Sequence, residues 1–229
     1  MSEKIKILFL SASPTNLSTL EPDTEFRRIF ENVGSSSAFE MLSVSNITKG
    51  ELIPVLLKNR PDIVHFTGHG TEDGIYVENV VREKDLFNKS DLVELFTRLH
   101  QRPRLLFLSS CLSAPNIENL SRVIDFVIAT EDRVEDRAAT HIAATFYTHL
   151  GYGEPVKNSF ELVHSQLKHM NMESEIVKYK LFVRDGAKND VFAVSDNRST
   201  AKNRGAAGGI NIRAKNSNVA EVIYQTIYN

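Results

Sequence analysis

Four short apolar runs constrain this chain more than anything else in it: residues 5–10, 63–67, 105–108 and 126–129. Each is nearly continuous rather than alternating, as a strand covered on both faces must be. Helical patterns stand between them, over residues 23–30, 48–58, 90–99, 116–122, 136–150 and from Pro155 onward. Strands alternating with helices give an α/β fold, three layers with a mostly parallel sheet. Right-handed crossovers send the C-terminal ends of parallel strands to one edge of such a sheet, where ligands and catalytic groups gather.

Finer expectations follow from local pattern. The helix over 48–58 carries Leu52, Ile53, Val55, Leu56 and Leu57 on one broad face. Gly74 before Ile75-Tyr76-Val77 predicts a hairpin, and Ser90 reads as an N-cap. The helix over 136–150 presents Ala139, Ile142, Ala143 and Phe146, with Gly151 as its stop. Pro155 suits the first turn of a helix whose stripe is Val156, Phe160, Val163 and Leu167. Residues 179–183 and 191–194 read as a last strand pair. From residue 195 the composition turns polar and then glycine-rich, which predicts a linker over 195–209. Residues 210–229 form a tail with strand-like pieces, too short for a core of its own. The domain proper is expected over 1–194.

Bulk chemistry narrows the function. Lysine plus arginine total 27 against 29 acidic residues, a net charge of −2 that gives no case for direct nucleic-acid or anionic-membrane binding. No apolar run approaches the roughly 18–20 residues of a membrane span. The start, MSEKIKILFLSASP, lacks the charged, apolar and cleavage regions of a signal peptide, so a cytoplasmic chain is expected. A single cysteine excludes an internal disulfide and a cysteine-rich zinc module. No metal site and no cofactor is expected, and neither GxGxxG nor GxxxxGK[ST] occurs to cradle phosphate.

That cysteine, Cys111, and His69 each follow an apolar strand. A thiol of pKa about 8.5 needs a base to become a nucleophile at neutral pH, and an imidazole near 6.5 supplies one. If the two strands are parallel neighbours, both side chains emerge at the same edge. Gly68 and Gly70 flank the histidine and permit close backbone approach. The backbone N–H groups of Gly70 and Cys111 are candidates for an oxyanion hole. Ser109 and Ser110 crowd the nucleophile with small polar groups. His65 lies mid-strand and reads as a packing histidine, while His141, His149, His164 and His169 read as solvated or boundary positions on helices.

The segments DIVHFTGHG (62–70), LFLSSC (106–111) and VIDFVIA (123–129) resemble the CHAT domain, a member of the caspase-like peptidases that include caspases, separase and gingipains. ILFLSASP (7–14) and YKLFVRDG (179–186) resemble its start and end, so the likeness spans residues 4–194. His69 and Cys111 lie about 40 residues apart, near the roughly 50 of caspases. The resemblance implies a caspase-like sandwich and a cysteine endopeptidase with Cys111 as nucleophile and His69 as base. It implies that the loop after the next strand lines the S1 pocket, with Thr130, Glu131, Asp132 and Asp136 as candidates and a basic P1 side chain as the preference. The competing reading puts Glu135 and Asp136 in the first turn of a helix, where negative charge is favourable.

The resemblance further implies a protein substrate and an effector role in a bacterial defence or signalling system, antiviral defence included. With no sensor domain recognisable in the chain, an activating or sensor protein partner is expected, acting through the C-terminal tail or from outside. Two alternatives stand beside this: a catalytically silent interaction module of the same fold, and a flavodoxin-like nucleotide-binding protein. The second leaves the His-Gly and cysteine motifs unexplained.

Overall fold

The computed structural model describes residues 4–33, 38–111, 114–189 and 192, the side chains of 114–116 excepted. Six strands form the main sheet. β1 (Ile5–Ser11) leads through α1 (Pro22–Val33) to β2 (Phe39–Val44), and α2 (Lys49–Asn59) leads to β3 (Ile63–Thr67). A small antiparallel sheet follows, made of β4 (Gly70–Thr71), β5 (Gly74–Glu78) and β6 (Lys84–Asn88). Then come α3 (Lys89–Arg98), β7 (Leu105–Cys111), α4 (Ala114–Ser121), β8 (Phe126–Thr130), α5 (Asp136–Gly151), α6 (Val156–His169), α7 (Glu173–Ile176) and β9 (Tyr179–Val183).

The main sheet runs β2-β1-β3-β7-β8-β9, with every pair parallel except β8 with β9. The four apolar runs supply its four central strands, and the reason is burial on both faces. Alternate residues of one strand enter different cores. Ile7, Phe9, Ile63, Leu105, Phe107, Phe126 and Ile128 pack with α1, α5 and α6. Leu8, Leu10, Val64, Phe66, Leu106, Leu108, Val127 and Ala129 pack with α2, α3 and α4. The fold is thus an α/β three-layer sandwich with a mostly parallel sheet.

Chain order creates a switch point. β2 lies on one side of β1 and β3 on the other, so the loops leaving β1 and β3 diverge and open a crevice at their C-terminal ends. That crevice is where the fold offers a site.

Several sequence expectations shift. On α2 only Leu52 and Leu56 are buried, whereas Ile53 and Leu57 are 51% and 56% exposed; the helix contacts the sheet along a narrow stripe rather than a broad face. The N-cap of α3 is Asn88, not Ser90, so the helix starts two residues earlier than expected, with the Lys89 amide donating to the Asp73 carbonyl at 2.9 Å. Gly151 is the last residue of α5, and the left-handed conformation falls to Gly153 (φ 89°). Pro155 is the N-cap of α6 rather than a residue of its first turn. β9 is present as expected, while 191, 193 and 194 of its expected partner and the whole of the linker and tail lie outside the described residues. No helix of the described residues is long and apolar enough to cross a membrane.

Candidate functional site

β3 and β7 are parallel neighbours, with Thr67 opposite Ser109. The ladder continues past the strand end, since the Gly68 amide donates to the Ser109 carbonyl at 3.3 Å. His69 follows Gly68 just beyond β3, and Cys111 lies two residues past Ser109 at the end of β7. Beside them Gly70 packs directly on the cysteine backbone. A Cβ built there would sit 2.1 Å from the Cys111 carbonyl oxygen. No side chain fits that gap, so the sequence needs glycine at this position for close approach rather than for unusual torsions. The turn is held by the Tyr76 amide, which donates to the His69 carbonyl at 2.9 Å. The structure therefore brings together the segments that the sequence paired, and sets both backbone N–H candidates, Gly70 and Cys111, at their junction.

The His69 ring is oriented from the loop after β1. Its Nε2 lies 2.8 Å from the Ser18 carbonyl and 3.4 Å from the Ser18 hydroxyl. A carbonyl only accepts, so Nε2 must carry the proton, which leaves Nδ1 as the basic nitrogen of the neutral ring. Sequence reasoning missed Ser18 because the contact is through its main chain, which any residue can supply.

Cys111 ends β7. The register between β7 and β8 passes from Phe107 opposite Ile128 to Cys111 opposite Thr130, so β7 carries two extra residues there. The irregularity lies between Phe107 and Cys111, immediately before the thiol. Thr130 is 2% exposed, and its hydroxyl donates to the Ser110 carbonyl at 2.6 Å, tying the two strand ends together. The Ser110 hydroxyl is buried and makes no hydrogen bond among the described residues.

Burial pushes the Cys111 thiol above its ordinary range; a hydrogen bond from the Val134 backbone opposes this, Asp132 adds to it, and Arg133 and Lys178 oppose it. The thiol is therefore neutral near pH 7. No hydrogen bond joins the His69 ring to the thiol among the described residues.

The remaining pocket candidates separate. Glu131 is exposed and paired with Lys180 at 3.3 Å. Asp132 is exposed, acts on the Cys111 thiol, and accepts from the Arg133 amide at 2.6 Å. Asp136 opens α5 in its first turn and is not among the groups that shift the thiol. Lys178 bridges the Arg133 carbonyl at 2.8 Å and Glu175 at 2.7 Å, which anchors the loop.

Under the site lies a buried polar cluster. His65 is fully buried, stacked between Phe9 and Phe107 at centroid distances of 4.8 and 4.7 Å. Its Nε2 meets Glu25 and its Nδ1 meets the Tyr147 hydroxyl, both at 3.2 Å. Thr67 donates a short hydrogen bond to Glu25. Burial, with the Glu25 charge adding to it, pushes the Tyr147 phenol well up, so it stays a neutral hydroxyl. His65 is thus a satisfied core histidine. His141, His149 and His164 are half-buried and His169 is exposed, all on helices. No cluster of three metal-ligating side chains occurs among the described residues.

Comparison with known proteins agrees with this architecture. A profile of the CHAT domain matches residues 9–175. A curated relative from an unknown prokaryotic organism, the Roc-COR-CHAT protease, is 25% identical over 153 residues, 62% of this chain and 14% of that protein. The chain thus spans about one seventh of that relative's length. Among solved structures, the Arg-specific cysteine proteinase gingipain R overlaps 80% of this chain and 46% of its own, at 12% identity and TM-score 0.55. Caspase-1 from Spodoptera frugiperda overlaps 79% of this chain and 84% of its own, at 11% identity and TM-score 0.52. At such identities the likeness is one of fold. The CHAT-domain match over residues 9–175, most of the chain, shows that this protein belongs to the CHAT-domain family, and its fold is that of caspases and gingipains.

Proposed function

We propose that this chain is a cysteine endopeptidase domain in which His69 and Cys111 form the catalytic dyad. The observation that carries the reading is the contact of Gly70 with the Cys111 backbone, which joins the histidine turn to the cysteine strand at the switch-point edge of the sheet. Cys111 Sγ attacks the scissile carbonyl carbon while His69 Nδ1 takes the thiol proton. The oxyanion is held by the backbone N–H groups of Gly70 and Cys111. The imidazolium then gives its proton to the departing amine, and a thioester remains on Cys111. His69 deprotonates a water that attacks the thioester, the acid leaves, and the proton returns to sulfur. Because the resting thiol is neutral, the base acts at the moment of attack rather than through a preformed ion pair.

Asp132 is the acidic group set to meet a basic P1 side chain, since Glu131 is paired with Lys180. Thr130 and Asp136 complete the loop around it. The substrate is a protein, the setting a bacterial defence or signalling system in the cytoplasm, and the switch a partner protein that tightens the site, reached through residues 195–229 or from outside. The missing hydrogen bond between ring and thiol supports a site that needs such tightening. It equally supports the second reading, a silent interaction module of the same fold.

The experiment is terminal profiling. Whole protein extract is incubated with the full chain, with the chain ended at Ser195, and with Cys111→Ala versions of both. The reading expects new termini after Arg or Lys that require Cys111, in at least one form. Their absence from both forms favours the interaction module. Equal cleavage by the two forms, with equal partner binding, removes the role given to the tail.

A further inference from the structure

The loop that presents the Ser18 carbonyl to His69 is itself held from the β5–β6 hairpin. Glu78 ends β5 and is 1% exposed. One carboxylate oxygen accepts the Ser13 backbone N–H at 3.0 Å, and the other accepts Arg82 Nε at 3.1 Å. The Arg82 carbonyl accepts both the Thr15 amide at 2.8 Å and the Thr15 hydroxyl at 3.1 Å. Asn16 Oδ1 accepts the Lys84 amide at 2.9 Å, and Ser13 Oγ accepts the Leu20 amide at 3.4 Å. Residues on both sides of Ser18 are therefore pinned, while Ser18 itself stands exposed over the histidine.

A buried carboxylate is retained only where its oxygens find partners. Glu78 spends one oxygen on the main chain at the start of this loop and the other on the residue whose carbonyl holds the loop's middle. Arg82 is braced in turn, donating to Asn46 Oδ1 at 2.8 Å and adopting φ 64°. The hairpin is continuous with the His69 turn, since Gly70 pairs with Ile75. One small sheet thus carries the histidine and also fixes the loop that orients it.

We infer that Glu78, with Arg82 as its ion-pair partner, is a positioning residue that fixes the 13–20 loop so that the Ser18 carbonyl holds His69 in its Nε2–H tautomer, with Nδ1 left as base. The inference rests on the dyad reading for its catalytic meaning, but the clamp can be read without turnover.

The test uses the full chain with ring-15N histidine and long-range nitrogen–proton correlation, at a pH where the ring is neutral, with the His69 signal assigned by its loss in His69→Ala. The wild type is expected to show the Nε2–H tautomer. Glu78→Ala is expected to give mixed tautomers, with the Nε2–H share falling about twofold. Glu78→Gln keeps an acceptor for the Ser13 amide and is expected to recover most of that share. Arg82→Ala removes a half-exposed side chain and is expected to fall between, and it decides the matter alone if Glu78→Ala does not fold. Wild-type tautomer populations in the folded variants overturn the inference. Labelling of Cys111, the chain's single cysteine, by a peptidyl acyloxymethyl ketone with arginine in P1 separates this from the dyad reading. Equal labelling rates in wild type and His69→Ala, together with a lost tautomer in Glu78→Ala, retain the clamp and remove the dyad.

Discussion

Cys111 sits where burial disfavours its thiolate and Asp132 disfavours it further. A simple electrophile reports this directly, because no other thiol competes. Alkylation by iodoacetamide is predicted to titrate with a midpoint above the ordinary value of about 8.5. Asp132→Asn lowers that midpoint and Lys178→Ala raises it, both effects shrinking in salt because Asp132 is exposed and Lys178 only partly buried. The sign for stability follows. A thiol raised in the folded state contributes stability below the unfolded pKa, and that contribution fades as pH rises through the folded value. Gly70 makes the second prediction at this scale. Gly70→Ala drives a Cβ into the Cys111 carbonyl. It is predicted to cost about 1–3 kcal/mol in urea unfolding. Misplacing the histidine turn is predicted to lower cleavage about 100-fold.

Elements are tied together at the end of the sheet opposite the site. Asp125 precedes β8 and is 5% exposed. It accepts from Arg104, just before β7, and from Arg184, just after β9, with Arg184 Nε at 2.8 Å. Burial alone raises the Asp125 carboxyl, but the hydrogen bonds and charges of Arg184 and Arg104 outweigh it and hold it below the usual carboxylate range. Asp125→Ala is predicted to destabilise by about 1–3 kcal/mol, a modest figure because both arginines are partly exposed. The depressed pKa means this contribution is present above about pH 4 and is lost as pH falls through the folded value. Urea unfolding at pH 7 and pH 3 checks both claims, since the gap between the variant and wild type should narrow at the lower pH.

The same scale shows what was legible. The four central strands could be read because both faces are buried, so apolar residues run together. β2 escaped notice because it is an edge strand, with Glu40 and Ser43 exposed among its apolar residues. β6 escaped for the same reason, its residues being only partly buried or exposed. The broad face assigned to α2 failed because hydrophobic periodicity cannot tell which apolar residues actually meet the sheet. At the candidate site, His69, Cys111 and the flanking glycines could be picked out as candidates by residue type. The Ser18 carbonyl and the Val134 amide could not, because main-chain groups leave no trace in residue identity.

At the scale of the whole fold, the strand order sends the loops leaving β1 and β3 to opposite sides, and the candidate site follows from that divergence rather than from any single motif. Both cores lie within the compact unit Met1–Ser195. A chain ended at Ser195 is therefore predicted to unfold in one cooperative transition, with a midpoint within about 2–4 °C of the full chain. A calorimetric scan of both forms checks this, and a broad or multistep transition in the shorter form counts against it.

Whether His69 and Cys111 act as one unit is tested most directly by acylation kinetics. A peptidyl acyloxymethyl ketone with arginine in P1 is reacted at neutral pH with wild type and with His69→Ala, and modification of Cys111 is followed by mass spectrometry. The account predicts labelling of Cys111 that slows about 100-fold or more without the histidine. Equal rates in the two folded proteins would contradict it.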